Sequence, residues 1–217
     1  MDSLLRGGSK AVKEIDLSVK ALLERTVRLR LLGLVLESPR PGWKQEVSAL
    51  MEKCDWAELE QAAGQALDGW TEGRYLALFG PGGTISPRAA ASAEGRDPGR
   101  VLADLSAFYE AFAFRPGSGN PPDHIAVEAD FLGYLTFKEA YAIASGNEEA
   151  ARTVRDGAAA FCRLHVGPHA RALAKNLERA AGAGPLPAAA AALLDLVTAQ
   201  VAQAGDRTPE DRSVSTS

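Results

Sequence analysis

From Gly117 to Tyr141 the chain reads GSGNPPDHIAVEADFLGYLTFKEAY, a stiff polar lead that runs straight into a long amphipathic helix. Asn120 suits an N-cap, Pro121 suits the first helical position, and Asp123 follows three residues after the cap, near the positive end of the helix dipole. A helix is therefore expected to begin at Asn120. Ile125, Val127, Phe131, Leu132, Leu135 and Phe137 supply its apolar contacts, and His124, Glu128, Asp130, Lys138 and Glu139 its polar ones. His124 and Glu128 are four apart and share a face, which reads either as a hydrogen-bonded helix start or as a recognition site.

The rest of the chain has the same character. Leu22, Leu23, Val27, Leu31, Leu34 and Val35 recur at helical spacing, predicting a helix over 16–37 that Pro39, Pro41 and Gly42 stop. Further helices are expected over 43–53, 56–67, about 75–79, 98–112, 148–164 and 172–181, with a last Ala-rich one opening at Pro185 and Pro187. Between them lie a glycine-rich corner at Gly80–Pro87, a low-order patch at 88–95, and a break at Val166-Gly167-Pro168. Strand-like alternation is absent. The expected fold is an all-α, single-domain bundle of about eight to ten helices. Residues 1–15 read as a flexible lead-in, 16–204 as the helical domain and 205–217 as a disordered tail.

Composition narrows the function. With 24 Lys plus Arg against 28 Asp plus Glu, the net charge of −4 gives no general attraction to nucleic acid. Cys54 and Cys162 are far apart and fit neither a disulfide framework nor a thiol-rich zinc site, so a reducing cytoplasm is the simplest home. Lys20, Glu24, Arg25, Arg28 and Arg30 interrupt the apolar run of 17–36, and no membrane span is expected there.

Catalytic patterns are thin. The glycine corner lacks the Lys-Ser or Lys-Thr of a phosphate loop, Cys162 lies in an apolar helix near His165, and no nucleophile elbow is present. The histidine inventory is His124, His165 and His169, which permits a small helical metal-binding enzyme with Glu128 as a further ligand, although Gly-Pro between His165 and His169 argues against one shared face.

Several stretches together resemble the TorD/DmsD/NarJ family of redox-enzyme maturation chaperones. They are Tyr75-Leu76-Ala77-Leu78-Phe79 with Gly80-Pro81-Gly82-Gly83 and Ser86-Pro87, then Phe108-Tyr109, then Pro121-Pro122-Asp123-His124-Ile125 with Glu128 and Phe131-Leu132, then Phe161 to His165. The glycine corner is most similar to the branch serving periplasmic selenate, chlorate, dimethyl sulfide or ethylbenzene oxidoreductases. The resemblance implies a cytoplasmic, non-catalytic chaperone with no cofactor of its own. It would bind the catalytic subunit of a molybdenum oxidoreductase, often through its twin-arginine signal peptide, before cofactor insertion and export. It also implies client-binding roles for Pro122, Asp123 and His124, supported by Glu128 and nearby aromatics. Two positions depart from the family pattern: Arg88 to Ala91 stand where relatives often carry an acidic residue, and His169 where an aromatic is common.

A twin-arginine signal offers positive charge followed by an apolar helix, so its receptor should offer carboxylates beside an apolar groove. Asp123, Glu128 and Glu110 are expected to supply the charge, and Tyr75, Phe79, Tyr109 and Phe131 to line the groove. On that reading, charge reversal at Asp123 together with Glu128 weakens client binding and leaves the helical fold intact.

Overall fold

The computed structural model describes residues 2–205 apart from positions 94, 118 and 181, with side chains from residue 15 to 204. The expected tail from 206 onward lies outside the described residues. The chain forms α1 (Asp2–Leu36), α2 (Trp43–Met51), α3 (Ala57–Gly69), α4 (Glu72–Phe79), a short α5 (Ala89–Ser92), α6 (Pro98–Ala111), α7 (Ile125–Ala144), α8 (Glu148–Phe161), α9 (Gly167–Leu177) and α10 (Leu186–Gly205). Among the described residues there is no strand, only an isolated antiparallel bridge between Arg88 and His124. The all-α expectation is met.

At the centre α1 and α7 lie side by side. Leu29, Leu31, Leu32, Leu34, Val35 and Leu36 are all inaccessible, so the end of α1, residues 31–36, is enclosed among its neighbours α7, α10, α2 and α3. Gly33 of α1 faces Ala126 and Asp130 of α7, while Gly133 of α7 faces Thr26, Leu29 and Arg30, so the two helices run antiparallel. A Cβ at Gly33 would collide with the Asp130 carboxylate, which makes the missing side chain the condition for this approach. Trp43, opening α2, is fully buried and donates its indole N–H to the Leu34 carbonyl at 2.7 Å, tying the end of α1 to the start of α2.

The bounds differ from expectation in four places. Helix α1 is already helical at Asp2, ahead of the expected start at Asp16. Part of the low-order patch forms α5. Helix α7 starts at Ile125 with His124 as its cap, four residues after Asn120, because Asp123 and Ile125 are drawn into backbone bonds with Ala89 and Pro87 and residues 121–124 form a separate turn, closed by the His124 N–H on the Pro121 carbonyl. The expected break at Gly167-Pro168 is instead a π-helical turn, Cys162–Val166, that joins α8 to α9 without interruption. Proline cannot donate to the preceding turn, and the wider turn accommodates that loss. The Gly167 N–H bonds back to the Cys162 carbonyl, so close that a Cβ at Gly167 would collide with it.

Among the described residues the most apolar helix is α10. Leu186–Ala204 has the length and composition of a membrane span, yet Leu186, Ala189, Ala190, Leu193 and Val197 are buried in the bundle core beside α9, α1 and α3.

Candidate functional site

The start of α7 is a hub of polar residues with almost no access to solvent. Asp123 is 0% exposed, and its carboxylate accepts from Arg88 Nε at 2.9 Å and from the Ala90 backbone N–H at 3.2 Å. The same residue's carbonyl accepts from the Ala89 N–H, so Asp123 fixes the whole turn that becomes α5. His124 caps α7: its Nδ1 accepts from the Ala126 N–H at 3.1 Å, which leaves the proton on Nε2, 2.7 Å from the Tyr75 hydroxyl. Burial, reinforced by nearby His169, lowers the His124 pKa to about 4 against the pull of Asp123, so the ring is neutral.

Glu128 pairs with His169 rather than with His124. Its Oε2 lies 2.8 Å from His169 Nδ1, both residues are buried, and burial raises the Glu128 pKa against the opposing pull of His169. Arg88 and His169 are thus the partners of the two carboxylates in the Asp123–Glu128 element. A buried carboxylate is tolerated only when paired and hydrogen-bonded.

The aromatic residues pack inward as well. Phe131 is fully buried and meets Tyr109 and Phe161 edge-on, each at 4.8 Å between ring centres. Tyr109 donates its hydroxyl to the Pro122 carbonyl at 2.7 Å, holding the turn that precedes α7. Phe112 lies over Gly157 of α8, where any Cβ would collide with its ring.

The residues expected to contact a client are thus drawn together, but most of them are not on the surface. Tyr75, Tyr109, Asp123, His124, Glu128 and Phe131 are buried; Phe79 is half-buried, and Pro122 and Glu110 are exposed. An open groove walled by Tyr75, Tyr109 and Phe131 and charged by Asp123 and Glu128 is not what this conformation presents. Reversing two carboxylates with no exposure would break the hub, so the fold would not stay intact after that change, contrary to expectation.

An open apolar cleft lies elsewhere, along the seam of α1 and α7. Thr26 and Arg30 of α1, Asp130, Gly133, Tyr134 and Phe137 of α7, and Arg40, Phe114 and Gly117 from loops line a space of roughly 400 Å³. Phe137 is 50% exposed and Tyr141, one turn further on, 68%. At the cleft's other end Arg30 pairs with Asp130 and Glu46, and Arg40 with Glu46 and Glu37. Sequence reasoning placed Phe137 among the core contacts. The available signal was that Asp130, Tyr134, Phe137 and Tyr141 form their own helical stripe, out of phase with the buried Phe131, Leu132 and Leu135.

A metal centre is not assembled. The His124 nitrogens engage Ala126 and Tyr75, His169 engages Glu128, and His165 lies between the Phe108 and Phe161 rings. Among the described residues no group of three or more His, Cys, Asp or Glu is placed to hold an ion. The Cys162 thiol, pushed up to about 12 by burial, is no nucleophile at neutral pH.

The sequence model of a family described as nitrate reductase delta subunit matches residues 44–175, from α2 into α9. The chain belongs to the nitrate reductase delta subunit family. No curated protein and no solved structure matches it. The family is NarJ/TorD-like, made of redox-enzyme maturation chaperones rather than catalysts. The delta-subunit match spans the buried hub in full. It leaves outside it α1 and the loop carrying Glu37 and Arg40, which form one side of the open cleft.

Proposed function

We propose that this chain is the dedicated maturation chaperone of a molybdenum oxidoreductase. In the cytoplasm it binds that enzyme's catalytic subunit, through its twin-arginine signal peptide, until the cofactor is inserted and export can proceed. The observation that carries the reading is a half-open apolar cleft, bearing Tyr134 and Phe137, that ends in a cluster of carboxylates and guanidinium groups, on a chain of the delta-subunit family. An apolar helix preceded by positive charge is the ligand such a surface fits.

The Pro122–Phe131 element takes part at one remove. Pro122 and Phe79 meet the client directly, while Tyr75, Tyr109, Asp123, His124, Glu128 and Phe131 hold the two loops that present them. Residues 16–204 form the working body of the chaperone.

The test is a titration of the full chain against a labelled synthetic signal peptide, two adjacent arginines followed by an apolar helix-forming run, read by fluorescence anisotropy. Saturable binding that a scrambled peptide does not reproduce is expected. A chain that captures the catalytic subunit from its host but ignores this peptide would move recognition to another part of the client.

A further inference from the structure

The charged end of the cleft is composed in an unusual way. Arg40 forks onto Glu46, Nη1 to Oε1 at 2.6 Å and Nη2 to Oε2 at 2.9 Å, and its Nε lies 3.3 Å from Glu37 Oε1. Arg30 bonds Asp130 and reaches Glu46 Oε2 at 3.4 Å. Three carboxylates therefore surround two guanidinium groups. Glu37 is only 3% exposed, and its Oε1 makes no hydrogen bond, since the Arg40 N–H does not point along the line to it. That leaves a buried acceptor beside the arginine that lines the cleft.

The two arginines are not equivalent. Arg30 sits in the last two turns of α1, where the helix fixes its backbone. Arg40 sits in the loop between α1 and α2, where Gly42 turns the chain at a φ of 81°, and its side chain is 41% exposed. Arg40 can swing into water without disturbing a helix.

We propose that Arg40 is an internal placeholder for a client guanidinium: when a signal peptide enters the α1–α7 cleft, one of its arginines takes the Arg40 seat on Glu46 and Glu37. This rests on the chaperone reading above and adds to it the seat and its competitor. The exchange replaces one bidentate ion pair by another of the same kind, so the carboxylates are never left unpaired. Once Arg40 has left, the acidic side chains of Glu37, Glu46 and Asp130 face only Arg30, which leaves a net negative seat for an incoming guanidinium. The apolar run then covers Tyr134, Phe137 and Tyr141, all on one stripe of α7. Without a client the resident arginine neutralises the seat, so lone cations gain little there. Lysine, a point charge, cannot reproduce the fork.

The experiment uses the full chain, the labelled two-arginine peptide, and a second peptide in which both arginines are lysines. Removing the competitor in Arg40→Ala is expected to tighten binding of the arginine peptide about fivefold, the scale of one exposed bidentate pair. Glu46→Gln is expected to weaken it about tenfold or more. The lysine peptide should show neither change. Both substitutions are half-exposed, and circular dichroism with urea denaturation confirms that the variants fold. If the wild-type chain binds the arginine peptide and folded Arg40→Ala binds it equally well or more weakly, the placeholder is refuted while the chaperone reading stands. If no form binds either peptide, the placeholder falls, and capture of the catalytic subunit from the host decides whether the chaperone reading falls with it. A wild-type dimer that Phe137→Ala dissolves, with no response to peptide, would give the cleft to a second copy of the chain and overturn the proposal.

Discussion

Asp123 and Glu128 have no exposed surface, and each is paired with one side chain from a distant part of the chain, Arg88 and His169 respectively. The dependence is unequal. Arg88 is 42% exposed and can return to water if Asp123 is lost, whereas Asp123 has nowhere to go if Arg88 is lost. Arg88→Ala should therefore cost about 3 kcal/mol of stability, as for a buried charge deprived of its partner. Arg88→Ala with Asp123→Asn should cost less than Arg88→Ala alone, an ordering that urea denaturation reads directly.

His124 predicts a pH dependence. Its folded pKa of about 4 lies below the ordinary 6.5, so the native state holds fewer protons than the unfolded chain in that interval. The contribution is intact above pH 6.5 and is lost as pH falls toward 4, amounting to about 3 kcal/mol in full. His124→Asn keeps a capping acceptor and should lose this acid-side slope. Glu37 runs the opposite way: burial raises it from 4.5 to about 7 against the pull of Arg40, so its contribution is intact below pH 4.5 and lost as pH rises through 7. Urea midpoints for His124→Asn and Glu37→Gln at pH 5 and pH 8 separate the two.

At the scale of elements, the contact of α1 with α7 turns on two glycines. Gly33→Ala would drive a methyl group into the Asp130 carboxylate and towards the Ala126 carbonyl, and should cost about 1–3 kcal/mol through overpacking. Gly133→Ala meets the Leu29 Cβ at 3.3 Å, a mild crowding that the better helix propensity of alanine, about 1 kcal/mol, largely offsets. The midpoint of Gly33→Ala should fall well below that of Gly133→Ala.

Most elements were legible from spacing alone, since apolar residues at helical intervals and proline stops mark α2, α3, α6 and the end of α1 to within a few residues. The start of α7 was not. Asn120-Pro121 is a good local cap, but the partner that holds residues 121–124 in a turn outside the helix, the segment Pro87–Ala89, lies more than thirty residues away. The π turn was hidden for a related reason: Gly167-Pro168 reads as a stop unless the wider turn that absorbs it is foreseen. The candidate site was half legible. The residues from Pro122 to Phe131 do converge, yet spacing cannot distinguish a charged pair facing a client from one facing Arg88 or His169.

For the whole molecule, the family's signature stretches and the open surface are different places. The hub of Asp123, His124 and Glu128 is sealed and gives the bundle a single arrangement of its loops, while the cleft of Phe137, Arg30 and Arg40 is left open beside it. A chaperone needs both, a body stable enough to persist alone and an apolar surface unsatisfied until a client arrives. The most direct measurement is affinity capture of the tagged full chain from its native host, grown so that molybdenum enzymes are induced, with the copurifying chains identified by mass spectrometry. One immature catalytic subunit that still bears its twin-arginine signal is the predicted partner. Recovery of general chaperones alone, under conditions where such a subunit is demonstrably made, would contradict the account.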